Sequence, residues 1–176
     1  IGTTAIGWGD ADDTVSVKAI HTALDAGINF FDTADIYGLG HSEKLIGDTV
    51  GKQKDIIIAT KVGNVARNEQ FSIDYSKEYI LKACEASLKR LKRDSIDYYQ
   101  LHTARLEHLQ KGECIEAMEQ LKQQGKIRYW GLSLNTFEPM DDAEFLMNNR
   151  MGNGFQLVLN IINQKALPLL KQAATK

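Results

Sequence analysis

The chain has 176 residues, 43% of them hydrophobic and 25% charged, with a formal charge of −2. That is the balance of an ordinary folded domain able to bury a core. It contains no basic block suited to nucleic acid and no apolar run near the roughly 20 residues that a membrane span needs, and nothing in it reads as a secretory signal, so the expected setting is the cytoplasm.

In chain order, residues 13–26 place Val17, Ile20, Ala23 and Leu24 on one helical face, with Asp12 or Asp13 as N-cap and Gly27 just past the end. Residues 27–32 then form a short apolar run rich in aromatics, as a buried strand does. A helix over 42–50 starts at Ser42, a strand follows over 55–61, and residues 76–93 carry Ile80, Leu81, Cys84, Leu88 and Leu91 at helical spacing. Three further pairs continue the pattern: strand 95–102 with helix 114–124 closed by Gly125, strand 127–133 with helix 140–149, and strand 155–160 with a helix running to the C-terminus. Cys84 and Cys114 both fall on helices and read as small buried hydrophobes rather than a disulfide.

Regular alternation of strand and helix points to parallel βα units in an α/β fold. A closed (β/α)8 TIM barrel takes about 250 residues. The chain starts at Ile1 without an initiator Met and stops at Lys176, inside a helical pattern. It is therefore expected to be a single partial TIM-barrel domain over residues 1–176, roughly strands 2 to 6 with part of the first unit, the last two βα units being absent.

Asp32, Tyr37, Lys61 and His102 each sit at or just past the C-terminal end of one of these strands. In a parallel barrel those ends converge on one mouth, where active sites form. Taken singly, the aspartate could cap a turn, the tyrosine could pack, the lysine could be a surface charge and the histidine could be structural. Unrelated accidents would not agree on one end of the strands. A phenol of ordinary pKa near 10 can protonate a nascent alkoxide if a cation supports it. A lysine about 4 Å away at an effective dielectric of about 20 supplies roughly 4 kcal/mol, enough to lower the phenol by up to about three units.

The stretch Asp25-Ala26-Gly27-Ile28-Asn29-Phe30-Phe31-Asp32-Thr33-Ala34-Asp35-Ile36-Tyr37-Gly38, running into His41-Ser42-Glu43-Lys44-Leu45-Ile46-Gly47, resembles the signature of the aldo-keto reductase family. Ala59-Thr60-Lys61, Ile96-Asp97-Tyr98-Tyr99-Gln100-Leu101-His102 and Gly125-Lys126-Ile127-Arg128-Tyr129-Trp130-Gly131-Leu132-Ser133 extend it in the expected order. The resemblance implies a (β/α)8 enzyme moving a hydride between a nicotinamide cofactor, NADPH by family expectation rather than NAD, and a small aldehyde or ketone. It implies Tyr37 as general acid, Lys61 and Asp32 as its supporting pair, and His102 as the residue orienting the carbonyl. Ser133 and Gln156 match positions that hold the nicotinamide amide. The family's Asn beside Ser133 is Leu134 here, and the nearest asparagine is Asn135. Gly2 and Thr3 match the cofactor-lining turn after the first strand.

Gly38-Leu39-Gly40 before a helix could cradle a phosphate, but it lacks the remaining glycines of a dinucleotide fingerprint and is better read as a flexible loop at the mouth. A metal site on His102, His108 and Asp32 is disfavoured by the charge of Lys61, so no metal is expected and His108 reads as a solvated surface residue. Trp8 and the segments 65–75 and 103–111, with Phe71 among them, are the candidates for lining a substrate pocket. Two functional classes follow: a carbonyl reductase, or a non-catalytic role on the same scaffold, as a nucleotide-sensing or partner-binding subunit or a fragment unable to hold cofactor.

Overall fold

The computed structural model describes residues 12–67 and 70–174. Helix α1 (Asp13–Asp25) begins where the Asp12 carboxylate accepts the Thr14 backbone N–H at 2.7 Å, and Ile20 carries its apolar face into the core. Strand β1 (Phe30–Asp32), helix α2 (His41–Val50) and strand β2 (Ile57–Val62) follow. An antiparallel hairpin of β3 (Asn64–Arg67) and β4 (Gln70–Ile73) precedes α3 (Lys77–Leu91), whose N-cap Ser76 accepts the Tyr79 N–H. The remaining elements are β5 (Ile96–His102), α4 (Leu106–Lys111), α5 (Glu113–Gln123), β6 (Ile127–Ser133), α6 (Met140–Asn148), β7 (Gly154–Gln156) and α7 (Leu167–Ala173).

The main sheet has the order β1-β2-β5-β6-β7, parallel at every step. Strands that are neighbours in this sheet follow one another in sequence, apart from the inserted hairpin, so the order never reverses as it does in a doubly wound sheet. The described fold is part of a (β/α)8 barrel.

The pleat sorts the side chains into two sets. Ile58, Thr60, Val62, Tyr99, Leu101, Trp130 and Leu132 are all buried, and with Ile46, Ile80, Cys84, Leu91, Cys114, Met118 and Leu146 of the helices they make the core. Both cysteines are free and buried, as their helical positions imply, and burial pushes their thiols up, to about 12 for Cys84 and about 11 for Cys114. The opposite parity, containing Asp32, Lys61, Gln100, His102, Ser133 and Gln156, is linked strand to strand by the pairs Lys61 with Gln100, His102 with Ser133, and Ser133 with Gln156. At Gly131 on this face a Cβ would meet the Gly154 carbonyl and the Tyr98 hydroxyl, both at 2.1 Å, so only glycine lets β7 and that ring approach β6.

Two elements depart from expectation. The strand expected over 155–160 covers only Gly154–Gln156, because the Asn160 side chain accepts the N–H groups of Ile162 and Asn163 and turns the chain away from the ladder. The hairpin β3–β4 begins at Asn64 and occupies most of the 65–75 segment that reads from sequence as a loop.

Candidate active site

The first strand ends on Asp32, and the chain after it is held close: Thr33 N–H donates to the Ala59 carbonyl at 2.9 Å and Asp35 N–H to the Lys61 carbonyl at 3.2 Å. The segment Tyr37–Gly40 forms a 3-10 turn in which Gly38 and Leu39 take left-handed backbone angles, φ 59° and 53°. Tyr37 opens this turn. Expected as a flexible loop, Gly38-Leu39-Gly40 is instead a formed turn packed by Gly40 against the Arg90 side chain.

Lys61, only 2% exposed, donates to Asp32 Oδ2 at 2.6 Å and to the Thr33 carbonyl at 2.8 Å. Its Nζ lies 5.3 Å from the centroid of the Tyr37 ring. The Tyr37 and His102 rings meet edge to face with centroids 5.9 Å apart. The four groups that sequence places at strand ends thus share one site.

Residues 1–172 match the Aldo/keto reductase family. The chain belongs to that family. It is 46% identical over 121 residues to the protein named uncharacterized oxidoreductase YqkF, and 40% identical over 148 residues to the aldo-keto reductase YhdN, both of Bacillus subtilis. These alignments take in 67% and 80% of this chain but 39% and 44% of the relatives, so the chain spans under half the length of the curated relatives it matches. Among solved structures, the holo aldo-keto reductase AKR11C1 of Bacillus halodurans superposes with a TM-score of 0.81 at 34% identity, covering 98% of this chain and 58% of that one. A Klebsiella pneumoniae aldo/keto reductase in complex with NADP and acetate gives 0.65 at 32% identity, covering 84% and 48%.

The electrostatics of the candidate site in this aldo/keto reductase family member differ from expectation at one point. A lysine at the next strand end is expected to lower the phenol, yet the Tyr37 phenol is held above its ordinary value, by burial first and then by the Asp32 charge. Burial is the larger cause and the Asp32 charge adds to it; at Lys61, burial draws the ammonium below its usual range while Asp32 holds it up. Burial, helped by Lys61, pulls His102 down to about 4, with Asp32 opposing. Asp35 is pushed up to about 8 by burial and by Glu43, against Arg90.

Ser133 and Gln156 stand side by side as register partners at the ends of β6 and β7. The Gln156 amide donates to Asp32 Oδ2 at 3.2 Å. Leu134, at the position where the family has asparagine, is 4% exposed and belongs to the core. The Asn135 side-chain carbonyl accepts the N–H groups of Phe137 at 2.9 Å and Glu138 at 3.2 Å, so it caps its own turn. Gly2, Thr3 and Trp8 lie outside the described residues.

His108 is not a solvated surface residue. Its side chain is 14% exposed, its Nδ1 accepts the Arg105 N–H at 3.0 Å at the start of α4, and its ring packs 4.7 Å from Tyr75. A short helix needs its first donors satisfied, and His108 satisfies one of them. Among the described residues no group of three or more His, Cys, Asp or Glu is placed to hold a metal ion, and no helix is long and apolar enough to cross a membrane.

Three contributors were not evident from sequence. Tyr75 donates its hydroxyl to the His102 carbonyl at 2.6 Å, and a Cβ at Gly63 would come within 2.1 Å of the Tyr75 ring. Thr103, directly after His102, takes φ 64°, an unfavourable angle for a β-branched residue, and its hydroxyl also reaches the His102 carbonyl. Gln100 donates to Asp32 Oδ1 at 3.3 Å. A parity argument finds Gln100, since it is two residues before His102 on an otherwise apolar strand.

Proposed function

We propose that this chain carries the catalytic residues of a nicotinamide-dependent carbonyl reductase, acting reversibly on a small aldehyde or ketone. The observation that carries the reading is the convergence of Tyr37, Lys61, Asp32 and His102 on one site. A phenol held above its ordinary value keeps its proton throughout the physiological range, so Tyr37 serves as the acid. His102 stays a neutral imidazole, able to donate a hydrogen bond to the carbonyl oxygen without a second charge beside Lys61. Tyr37 releases its Oη proton to that oxygen as negative charge develops, and the ammonium of Lys61 stabilises the tyrosinate left behind. Asp32 keeps the ammonium charged and aimed.

Ser133 and Gln156 fit a carboxamide: a hydroxyl and a primary amide, side by side, supply both the donors and the acceptors it requires. They would hold the nicotinamide group, which when bound supplies the hydride; Gly2 and Thr3 are assigned to the cofactor by family resemblance alone, and Asn135, one residue past the family's position, has its Oδ1 taken up by its own turn. NADPH is favoured by the names of relatives, one being the Schizosaccharomyces pombe aldo-keto reductase yakc [NADP(+)], 36% identical over 132 residues. Other relatives are named methylglyoxal reductase and 6-dehydroglucose reductase, at 31% and 38% identity. Those names share a carbonyl and differ in everything around it, so the class of substrate is a small carbonyl compound.

The test mixes the protein with NADPH and a reactive aldehyde and follows the absorbance of the reduced nicotinamide. The wild type consumes NADPH and Tyr37→Phe is slower by about 10²- to 10⁴-fold. Equal rates for the two proteins remove Tyr37 as the acid, and no consumption by either replaces the reductase reading with a binding role.

A further inference from the structure

Strand β5 turns Tyr98, Gln100 and His102 to the same face of the sheet as Lys61 and Ser133. His102 belongs to the rim; Gln100 lies one layer deeper, with Lys61 as its register partner on β2 and Gly131 on β6. Gln100 is 1% exposed. Its Nε2 donates to Asp32 Oδ1 at 3.3 Å, while its Oε1 is buried without a partner among the described residues. An unpaired buried carbonyl is destabilising, a cost that a methionine or leucine at the same place would avoid. The reverse orientation of the amide is worse, because it would set the carbonyl against a carboxylate.

The Asp32 carboxylate therefore has three donors from three strands. Lys61 and Gln156 share Oδ2, at 2.6 and 3.2 Å, and Gln100 alone holds Oδ1 among the described residues. Gln156 is exposed and free to turn toward a ligand, whereas Gln100 is enclosed and cannot leave. We infer that Gln100 is a positioning residue for the reductase site, fixing the rotation of the Asp32 carboxylate so that Oδ2 stays on Lys61 when Gln156 is drawn away. This rests on the proposed function above for its kinetic consequence, though not for its structural one.

The experiment compares Gln100→Met with Tyr98→Phe, which removes an unpartnered hydroxyl two residues along the same face. Two quantities are measured: steady-state reduction of an aldehyde by NADPH, and the titration of Lys61 followed by ¹³C NMR at Cε, assigned with Lys61→Met. In Gln100→Met, kcat falls about ten-fold with KM within two-fold, because displacing a supporting group degrades the reacting geometry without touching substrate. Lys61 titrates at lower pH, since a loosened carboxylate supports its charge less. Tyr98→Phe changes neither. Wild-type kcat and wild-type Lys61 titration in Gln100→Met overturn the inference, as do equal shifts in both variants, which would mean a general disturbance of the strand. Gln100→Leu replaces the methionine variant if that one does not fold. A wild type inert toward NADPH and aldehydes would defeat the reductase reading, and the Lys61 titration would still decide on Gln100.

Discussion

The Lys61 ammonium, 2% exposed, reaches from inside the sheet to an Asp32 carboxylate that remains 31% exposed, across 2.6 Å. Each end of this pair has a different alternative if the other is removed. The asymmetry makes the two deletions unequal.

In Asp32→Asn the buried ammonium loses its counter-charge and keeps only neutral acceptors, the Thr33 carbonyl and the new amide oxygen. Breaking a fully enclosed pair costs about 3–5 kcal/mol, and the partial wetting of Asp32 brings the expected loss to about 2 kcal/mol. Lys61→Met removes the buried charge and leaves Asp32 with water, Gln100 and Gln156. It should be less destabilising than Asp32→Asn, although both suppress NADPH-dependent reduction. Urea denaturation midpoints order the two variants; a lysine variant that is the weaker protein would contradict the asymmetry.

Stability against pH separates two other groups. His102 titrates at about 4 in the folded protein, below an unfolded value near 6.5, so the unfolded chain binds more protons between those values. Its contribution is complete above pH 6.5 and is lost as pH falls toward 4. Asp35 titrates at about 8 when folded, far above an unfolded carboxyl near 3.9, so its contribution is complete in acid and is lost as pH rises toward 8. Between pH 4 and 6.5 the two slopes oppose, each up to about 1.4 kcal/mol per pH unit. Asp35→Asn should therefore gain stability with rising pH in this window and His102→Asn should lose it. Parallel pH profiles for the two variants, measured by chemical denaturation, would refute the assignment.

Gly131→Ala tests the close approach of β6 and β7. The new methyl would sit 2.1 Å from the Gly154 carbonyl oxygen and from the Tyr98 hydroxyl. Overpacking of this kind costs about 1–3 kcal/mol, and a backbone atom as one obstacle places the loss at the upper end. Adding Tyr98→Ala should not restore the midpoint, because the carbonyl remains. Full rescue by that second change would show that the ring alone sets the limit.

Much of this site was legible because parallel strands put chemistry at their ends. Asp32, Lys61, His102 and Ser133 each close or nearly close an apolar run, and a strand of period two leaves no doubt which residues share a face once one is placed. What stayed hidden depends on contacts across the sheet or on turn geometry. Gln100 looks like a polar interruption until its neighbour across the sheet is known. His108 reads as a surface residue from sequence, and its burial depends on the Arg105 N–H it accepts at the start of α4 and on the Tyr75 ring it packs against. The direction of the phenol shift is not legible in sequence because it is set first by burial of the Tyr37 ring, which only the packed structure fixes, with the Asp32 charge adding to it.

The hydroxyl of Tyr75 on the His102 carbonyl has an engineering consequence. Gly63 and Tyr75 flank hairpin β3–β4, and Tyr75 is tied to strand β5 through the His102 carbonyl, outside the hairpin's own ladder. Exchange of the hairpin's own residues should therefore leave the Tyr75 hydroxyl on the His102 carbonyl in place.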